Sequence, residues 1–291
     1  MIHIPFTLLA YLFNALAVLS NKFLLKRAIQ PLTYIFYISC FNLLLLLLIP
    51  FIKVPAREVF FLSSFATCLW TIGVYLMFLA LKSGSVSRVI PLIGTFLPLN
   101  LLYFSKEPIT NNQFLAVLIL SLAILLLTVF DFKGKLLFQE LILSATSATL
   151  FALSYLLLRD AFLLEQFLPV LVWSKFILIP FCLAYFINLI ISQKISIKPK
   201  KVVFTPTGLI FIAGQAFGSL SEVLLVFSIS LATPSLVNSL QGTQYAFLFI
   251  LSLILAKKYP TIFEEKFNKL ALISKILGLV LIGFGLYLLA S

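Results

Sequence analysis

The stretch FLAVLILSLAILLLTVF, residues 114–130, decides the reading of this chain. No charge interrupts it between Asn112 and Asp131, and it closes on Lys133-Gly134-Lys135. An apolar run of this kind is long enough to cross a hydrocarbon core of about 30 Å as a helix. The pattern recurs along the whole chain, so the solvent of this protein is read as lipid. Ten spans are expected, at roughly 4–24, 31–52, 59–81, 86–104, 112–130, 140–159, 167–190, 207–231, 234–256 and 270–290. Strands of a barrel would alternate polar and apolar residues over about ten positions, which these runs do not. Backbone polar groups in lipid must be satisfied within the span, so helices are the form left.

Composition agrees. Of 291 residues, 62% are hydrophobic and 10% charged, too few charges to cover a soluble surface. Little chain lies between the spans, which leaves no separate domain for soluble catalysis. The net charge of +12 sits in short loops, where it reads as a topology signal and a contact for lipid headgroups rather than a nucleic-acid surface. The three cysteines, Cys40, Cys68 and Cys182, each stand alone in an apolar span and are read as small packing residues. His3 is the one histidine, so neither a histidine metal site nor a Ser-His-Asp triad is expected. No metal, cofactor or enzyme activity is expected. The opening Met1-Ile2-His3-Ile4 has no basic region ahead of its apolar run and is read as the start of a retained span.

Loops after odd-numbered spans hold Lys22, Lys26, Arg27, Lys82, Arg88, Lys133, Lys135, Lys194, Lys198, Lys200, Lys201, Lys257, Lys258, Lys266 and Lys269. Loops after even-numbered spans hold only Lys53, Arg57, Lys106 and Arg159. Positive charge favours the cytoplasm, so this asymmetry places both termini outside.

The chain also repeats itself. Ser85-Val86-Ser87-Arg88 through Pro91, opening the fourth span, is similar to Ser235-Leu236-Val237-Asn238 through Gln241, opening the ninth. Pro31-Leu32-Thr33-Tyr34 at the second span likewise resembles Pro169-Val170-Leu171-Val172 at the seventh. Two halves, 1–134 and 135–291, each of five spans, must run in opposite directions because five is odd. An inverted repeat of this kind places a site near the midplane, between the halves.

These residues resemble the drug/metabolite transporter superfamily, in its ten-helix EamA-like branch, over nearly the whole chain. The resemblance rests on three elements. The third span ends Ala80-Leu81-Lys82-Ser83-Gly84-Ser85-Val86-Ser87 and leads into Arg88-Val89-Ile90-Pro91-Leu92. Glu107 is followed by Pro108-Ile109-Thr110. The last span reads Lys275-Ile276-Leu277-Gly278-Leu279-Val280-Leu281-Ile282-Gly283. The resemblance implies an all-α membrane protein of two EamA-like five-helix repeats, with both termini in the cytoplasm, opposite to the charge tally. The chain departs from the pattern in two places. Lys257-Lys258 stands at the second half's acidic position, with Glu264-Glu265 later, and Tyr37, Ile38 and Ser39 replace an arginine common in the second helix.

Charges inside a membrane are costly and face a cavity or a partner. Glu222 is the one acidic residue read within a span. Lys175 and Lys275 are the basic ones, and Lys275 is near enough to its helix end to snorkel. Counting at 1.5 Å per residue puts Lys175 in the seventh span and Glu222 in the eighth about 12–14 Å from the same surface. The two are placed to pair, either as a packing device or as lining of a solute path. Asn14, Gln241, Gln244 and Tyr155 fall at similar depth. Gln215, Ser219 and Glu222 share one helix face at i, i+4, i+7. A polar stripe on a membrane helix faces protein or water. Pro91 and Pro98 are expected to interrupt the fourth span and Pro180 the seventh. Gly214 and Gly218 permit close helix approach.

The expected activity is secondary transport of a small metabolite or drug-like solute across the plasma membrane. The chain would act as a monomer or homodimer, with a proton coupled through Glu222. No GxxxxGK[ST] element is present to power it with a nucleotide. The alternative on the same fold is a flippase for a lipid or lipid-linked sugar. An intramembrane enzyme would need a second carboxylate or a metal set at matched depth, and a receptor or purely structural role is the remaining reading.

Overall fold

The computed structural model describes residues 2–24, 31–83, 86–105, 108–128, 138–192, 206–256 and 269–290. Every regular element among them is helical. The helices are α1 (His3–Leu24), α2 (Pro31–Leu43), α3 (Arg57–Ser83), α4 (Val86–Phe104), α5 (Asn111–Thr128), α6 (Phe138–Leu164), α7 (Phe167–Trp173), α8 (Leu178–Ile191), α9 (Pro206–Leu231), α10 (Pro234–Ser239), α11 (Gly242–Ala256) and α12 (Lys269–Ala290). Two 3-10 segments, Leu44–Phe51 and Ser174–Ile177, continue α2 and join α7 to α8. Five helical stretches are long and apolar enough to cross a membrane: His3–Ser20, Arg57–Lys82, Phe138–Leu164, Phe167–Ile191 and Ile212–Leu231. Ile35–Phe51, Val89–Phe104, Asn111–Leu127 and Ile273–Leu288 are shorter apolar helical stretches.

The outer surface is itself apolar. Leu47, Phe51, Phe61, Phe65, Phe138, Ile187, Ile191, Ile254 and Val280 all point outward. A water-facing monomer rarely exposes contiguous apolar area of this extent. The chain is therefore an all-helical protein with the surface of a membrane-embedded one.

Small residues set the helix seams, because lipid gives apolar side chains no reason to prefer one another and close packing must hold the helices together. In the α3–α6 seam, Gly73 lies under the Phe151 ring, and Ser147 donates from Oγ to the Gly73 carbonyl at 2.8 Å. In the α5–α12 seam, Gly278 and Gly285 lie so close to Leu127 and Leu120 that a Cβ would meet those side chains at 2.7 and 2.6 Å. In the α1–α9 seam, Gly218 faces Ala17, the Phe13 and Phe217 rings stack with centroids 5.9 Å apart, and Phe6 meets Phe227 edge-on.

Three expectations change. Pro91 and Pro98 do not interrupt α4, which runs unbroken with both inside it. A proline removes one backbone bond, and a helix flanked by protein carries that loss. Arg159 is not a loop residue, because α6 runs on to Leu164. Lys275 does not snorkel: it is buried, its ammonium 5.1 Å from the centre of the Phe249 ring, where the ring's negative face receives it. Cys40 and Cys182 are free thiols that approach each other across α2 and α8. Lys26, Arg27, Glu107, Lys133, Lys135, Lys194, Lys198, Lys200, Lys201, Lys257, Lys258, Glu264, Glu265 and Lys266 lie outside the described residues.

Candidate functional site

The seventh span is broken, and the break positions its lysine. Pro180 has no N–H to give the carbonyl of Phe176, four residues back. The chain tightens into the 3-10 segment Ser174–Ile177 before α8 starts at Leu178. Lys175 lies in that segment and is buried. A 3-10 stretch between two helical pieces often marks a hinge or a functional position. Pro180 itself faces outward, so its effect on the site passes through the backbone.

Glu222 meets Lys175 from α9. Lys175 Nζ donates to Glu222 Oε1 at 3.0 Å, and Asn42 Nδ2 on α2 donates to Glu222 Oε2 at 3.1 Å. Both carboxylate oxygens are thus engaged, one by a charge and one by an amide. The lysine side chain is 5% exposed and the glutamate side chain 13%. The carboxylate is therefore the more accessible member. Breaking a buried pair by removing one charge strands the other in a medium that solvates it poorly. Tyr155, buried on α6, lies within electrostatic reach of Glu222. Arg159, one turn further along α6, donates from Nη1 to the carbonyls of Ile229 and Ser230 at 3.1 and 2.8 Å. These are among the last carbonyls of α9, which have no helical donor of their own. Arg159 thereby ties the end of the helix that carries Glu222.

The other anticipated polar residues divide. Ser219, one turn before Glu222, is half-buried and lines an apolar groove together with Asn42. Gln215 is buried one turn earlier and makes no side-chain hydrogen bond among the described residues. Asn14 and Gln244 form a second cluster: Asn14 Nδ2 donates to Gln244 Oε1 at 3.1 Å. This cluster surrounds a second broken span. The chain leaves α10 after Ser239 and resumes as α11 at Gly242, with short-range bonds from Gln241 N to Asn238 O and from Gln244 N to Gln241 O. Tyr11 donates from its hydroxyl to the Val237 carbonyl at 3.4 Å. Asn238 donates from Nδ2 to the Pro234 carbonyl at 2.9 Å. Gly94 of α4 packs on this break, with Tyr245 Oη 3.0 Å and the Gln241 amide 3.3 Å from where a Cβ would stand. The Gln241 Oε1 and Tyr245 Oη atoms are buried and have no hydrogen-bond partner among the described residues.

Sequence reasoning missed three residues. Asn42 sits just before a run of leucines, and nothing in its spacing said which way it faced. Glu140 stands at the head of the sixth span and is not counted among the charges read within spans, yet it is fully buried. Arg159 read as loop charge. The Asn42 signal was available: it is a lone amide at the entry to an apolar run, and such a group must find a protein partner.

No family model matches the chain, and no curated protein matches it. A solved structure described only as "Crystal structure of protein" aligns over 98% of this chain and 86% of its own, with a TM-score of 0.53 and 13% sequence identity. At that identity the likeness concerns the fold alone. Fold and site together define an all-helical membrane-type protein with a buried, hydrogen-bonded ion pair beside a helix break.

Proposed function

We propose that this chain is a secondary transporter that moves a small metabolite or drug-like solute across the plasma membrane by alternating access. Its ten spans form two inverted halves, 1–134 and 135–291. The observation that carries the reading is the Lys175–Glu222 pair, held by Asn42 at the meeting of α2, α9 and the 3-10 segment after α7. Charge inside a membrane bundle is retained where it meets solute or a moving partner. Discontinuous helices are the usual frame of such a site, because unwound backbone offers polar groups where a regular helix does not.

The seams support the inverted halves. Matching the first five spans to the second five pairs α1 with α6, α2 with α7–α8, α3 with α9, α4 with α10–α11, and α5 with α12. The most extensive contacts are α3 with α6, α1 with α9, and α5 with α12. Exchanging the halves turns the first of these into the second and returns the third to itself. The lesser contacts of α4 with α6 and of α1 with α11 exchange in the same way. A two-fold relation predicts this pattern, and unrelated helices packed at random do not.

The test is uptake or efflux in proteoliposomes with Glu222→Gln and Lys175→Ala. Transport is expected to fall in both while the protein stays folded. Unchanged transport in both variants removes the pair from the mechanism. Proton coupling through Glu222 is tested in the same vesicles by an imposed pH gradient, and indifference to that gradient removes it.

A further inference from the structure

Beside the ion pair lies a groove of about 420 Å³ between the end of α2 and α9. Leu44, Leu47, Leu48 and Leu220 wall it, and each of these is exposed on the outer surface. Asn42 and Ser219 are its polar residues. Asn42 holds the Glu222 carboxylate, and Ser219 stands one turn from Glu222 on the same helix. The leucines lead away from Asn42 along the 3-10 segment Leu44–Phe51, in which no residue is buried. The groove therefore runs from the lipid-facing surface inward to Asn42 and Ser219; Glu222 and Lys175 are not in its wall, and Asn42, which donates to Glu222, links it to the pair.

The chemistry of the inner end selects the head. Lys175 Nζ has three N–H donors and, among the described residues, uses one, on Glu222. The Glu222 carboxylate is the more exposed partner. The pair is neutral as a whole, so a head of net charge would leave an uncompensated charge in a medium of low dielectric. A head with one cationic and one anionic group leaves none. Its ammonium meets the carboxylate, and its anionic oxygens meet the unused lysine donors. We propose that this groove is a lateral entrance from the bilayer, holding the alkyl chain of a single-chain amphiphile whose zwitterionic head lies on the Asn42–Glu222–Lys175 cluster. The inference rests on the transporter reading of that cluster and adds the route and the class of solute.

The full chain, purified and presented with single-chain lipids in native mass spectrometry, tests it. Three probes share one alkyl chain and differ in head: zwitterionic lysophosphatidylethanolamine, anionic lysophosphatidylglycerol and an uncharged alkyl glucoside. The zwitterionic probe is expected to be retained roughly tenfold better than either of the others. Leu220→Trp, which fills the groove, is expected to abolish retention of all three. Leu47→Trp, at a position 73% exposed, is the second filler should the first variant fail to fold. Lys175→Met with Glu222→Leu is expected to keep chain retention and lose the head preference. Equal retention of the three heads overturns the zwitterionic assignment. Retention unchanged in a folded groove-filling variant overturns the lateral route. A groove-filled protein that still carries a water-soluble zwitterion such as leucine across proteoliposomes, sensitively to Glu222→Gln, would sink the lateral entrance and leave the transporter reading standing.

Discussion

Two of the polar clusters in the apolar interior, among the described residues, are built on different principles. Lys175, Glu222 and Asn42 carry opposite charges, and the carboxylate keeps some exposure beside a groove. Asn14, Gln244, Tyr11 and Val237 carry none; they exchange amide, hydroxyl and carbonyl bonds around the break between α10 and α11. Both satisfy polar groups that lipid would leave unsatisfied. Neutral bonds suffice for that purpose and cost little to bury. A charge pair costs far more to desolvate, and apolar residues of similar volume often hold a fold as well or better. On the proposed transporter reading, the neutral cluster is structural and the charged one handles solute.

The comparison breaks most visibly on the single charge removals. Lys175→Ala or Glu222→Gln leaves one buried partner without its counterpart, a loss of about 3–5 kcal/mol on the scale of buried pairs. A fall in thermal unfolding temperature measures it, and Lys175→Met with Glu222→Leu is expected to recover most of it. A smaller loss, about 1–3 kcal/mol, is expected for Gly285→Ala, because a Cβ there meets Leu120 Cγ at 2.6 Å and overpacks the α5–α12 seam. Gly94→Ala overpacks more gently, at 3.0 Å from Tyr245 Oη and 3.3 Å from the Gln241 amide. Its expected effect is on the α4 contact with the helix break, read as a change in transport rate larger than the change in stability. The smallest loss belongs to Asn14→Leu, about 0.6–2 kcal/mol for one interhelical hydrogen bond. Its transport is expected to stay near that of the unaltered protein once corrected for the amount folded.

Depth arithmetic on single helices found the charged pair, because two antiparallel neighbours with rare charges at equal depth have few other partners. It ranked Asn14 and Gln244 at that same depth without saying that they would bond to each other, and it gave no sign that Asn42 completes the first cluster. Depth is one coordinate; the missing one is rotation about the helix axis, which packing fixes and composition does not. The apolar runs located most helix ends within a few residues. They hid the breaks at Ser174 and Leu240, where each apolar span continues in sequence across a change of backbone form. Pro180 signalled the first break. The second carried only Gln241-Gly242, a weaker sign than a proline. Arg159 was misplaced for a different reason: a long basic side chain near a span end looks the same whether it reaches water or turns back to cap a neighbouring helix.

Transport by two paired variants in proteoliposomes weighs the charged cluster against the neutral one directly. Lys175→Met with Glu222→Leu and Asn14→Leu with Gln244→Leu would be reconstituted at matched folded amounts and assayed with the same solute. The expected result is a folded but inactive protein for the first and retained transport for the second. Transport by the first at the unaltered rate would contradict the assignment of solute handling to the Lys175–Glu222 pair.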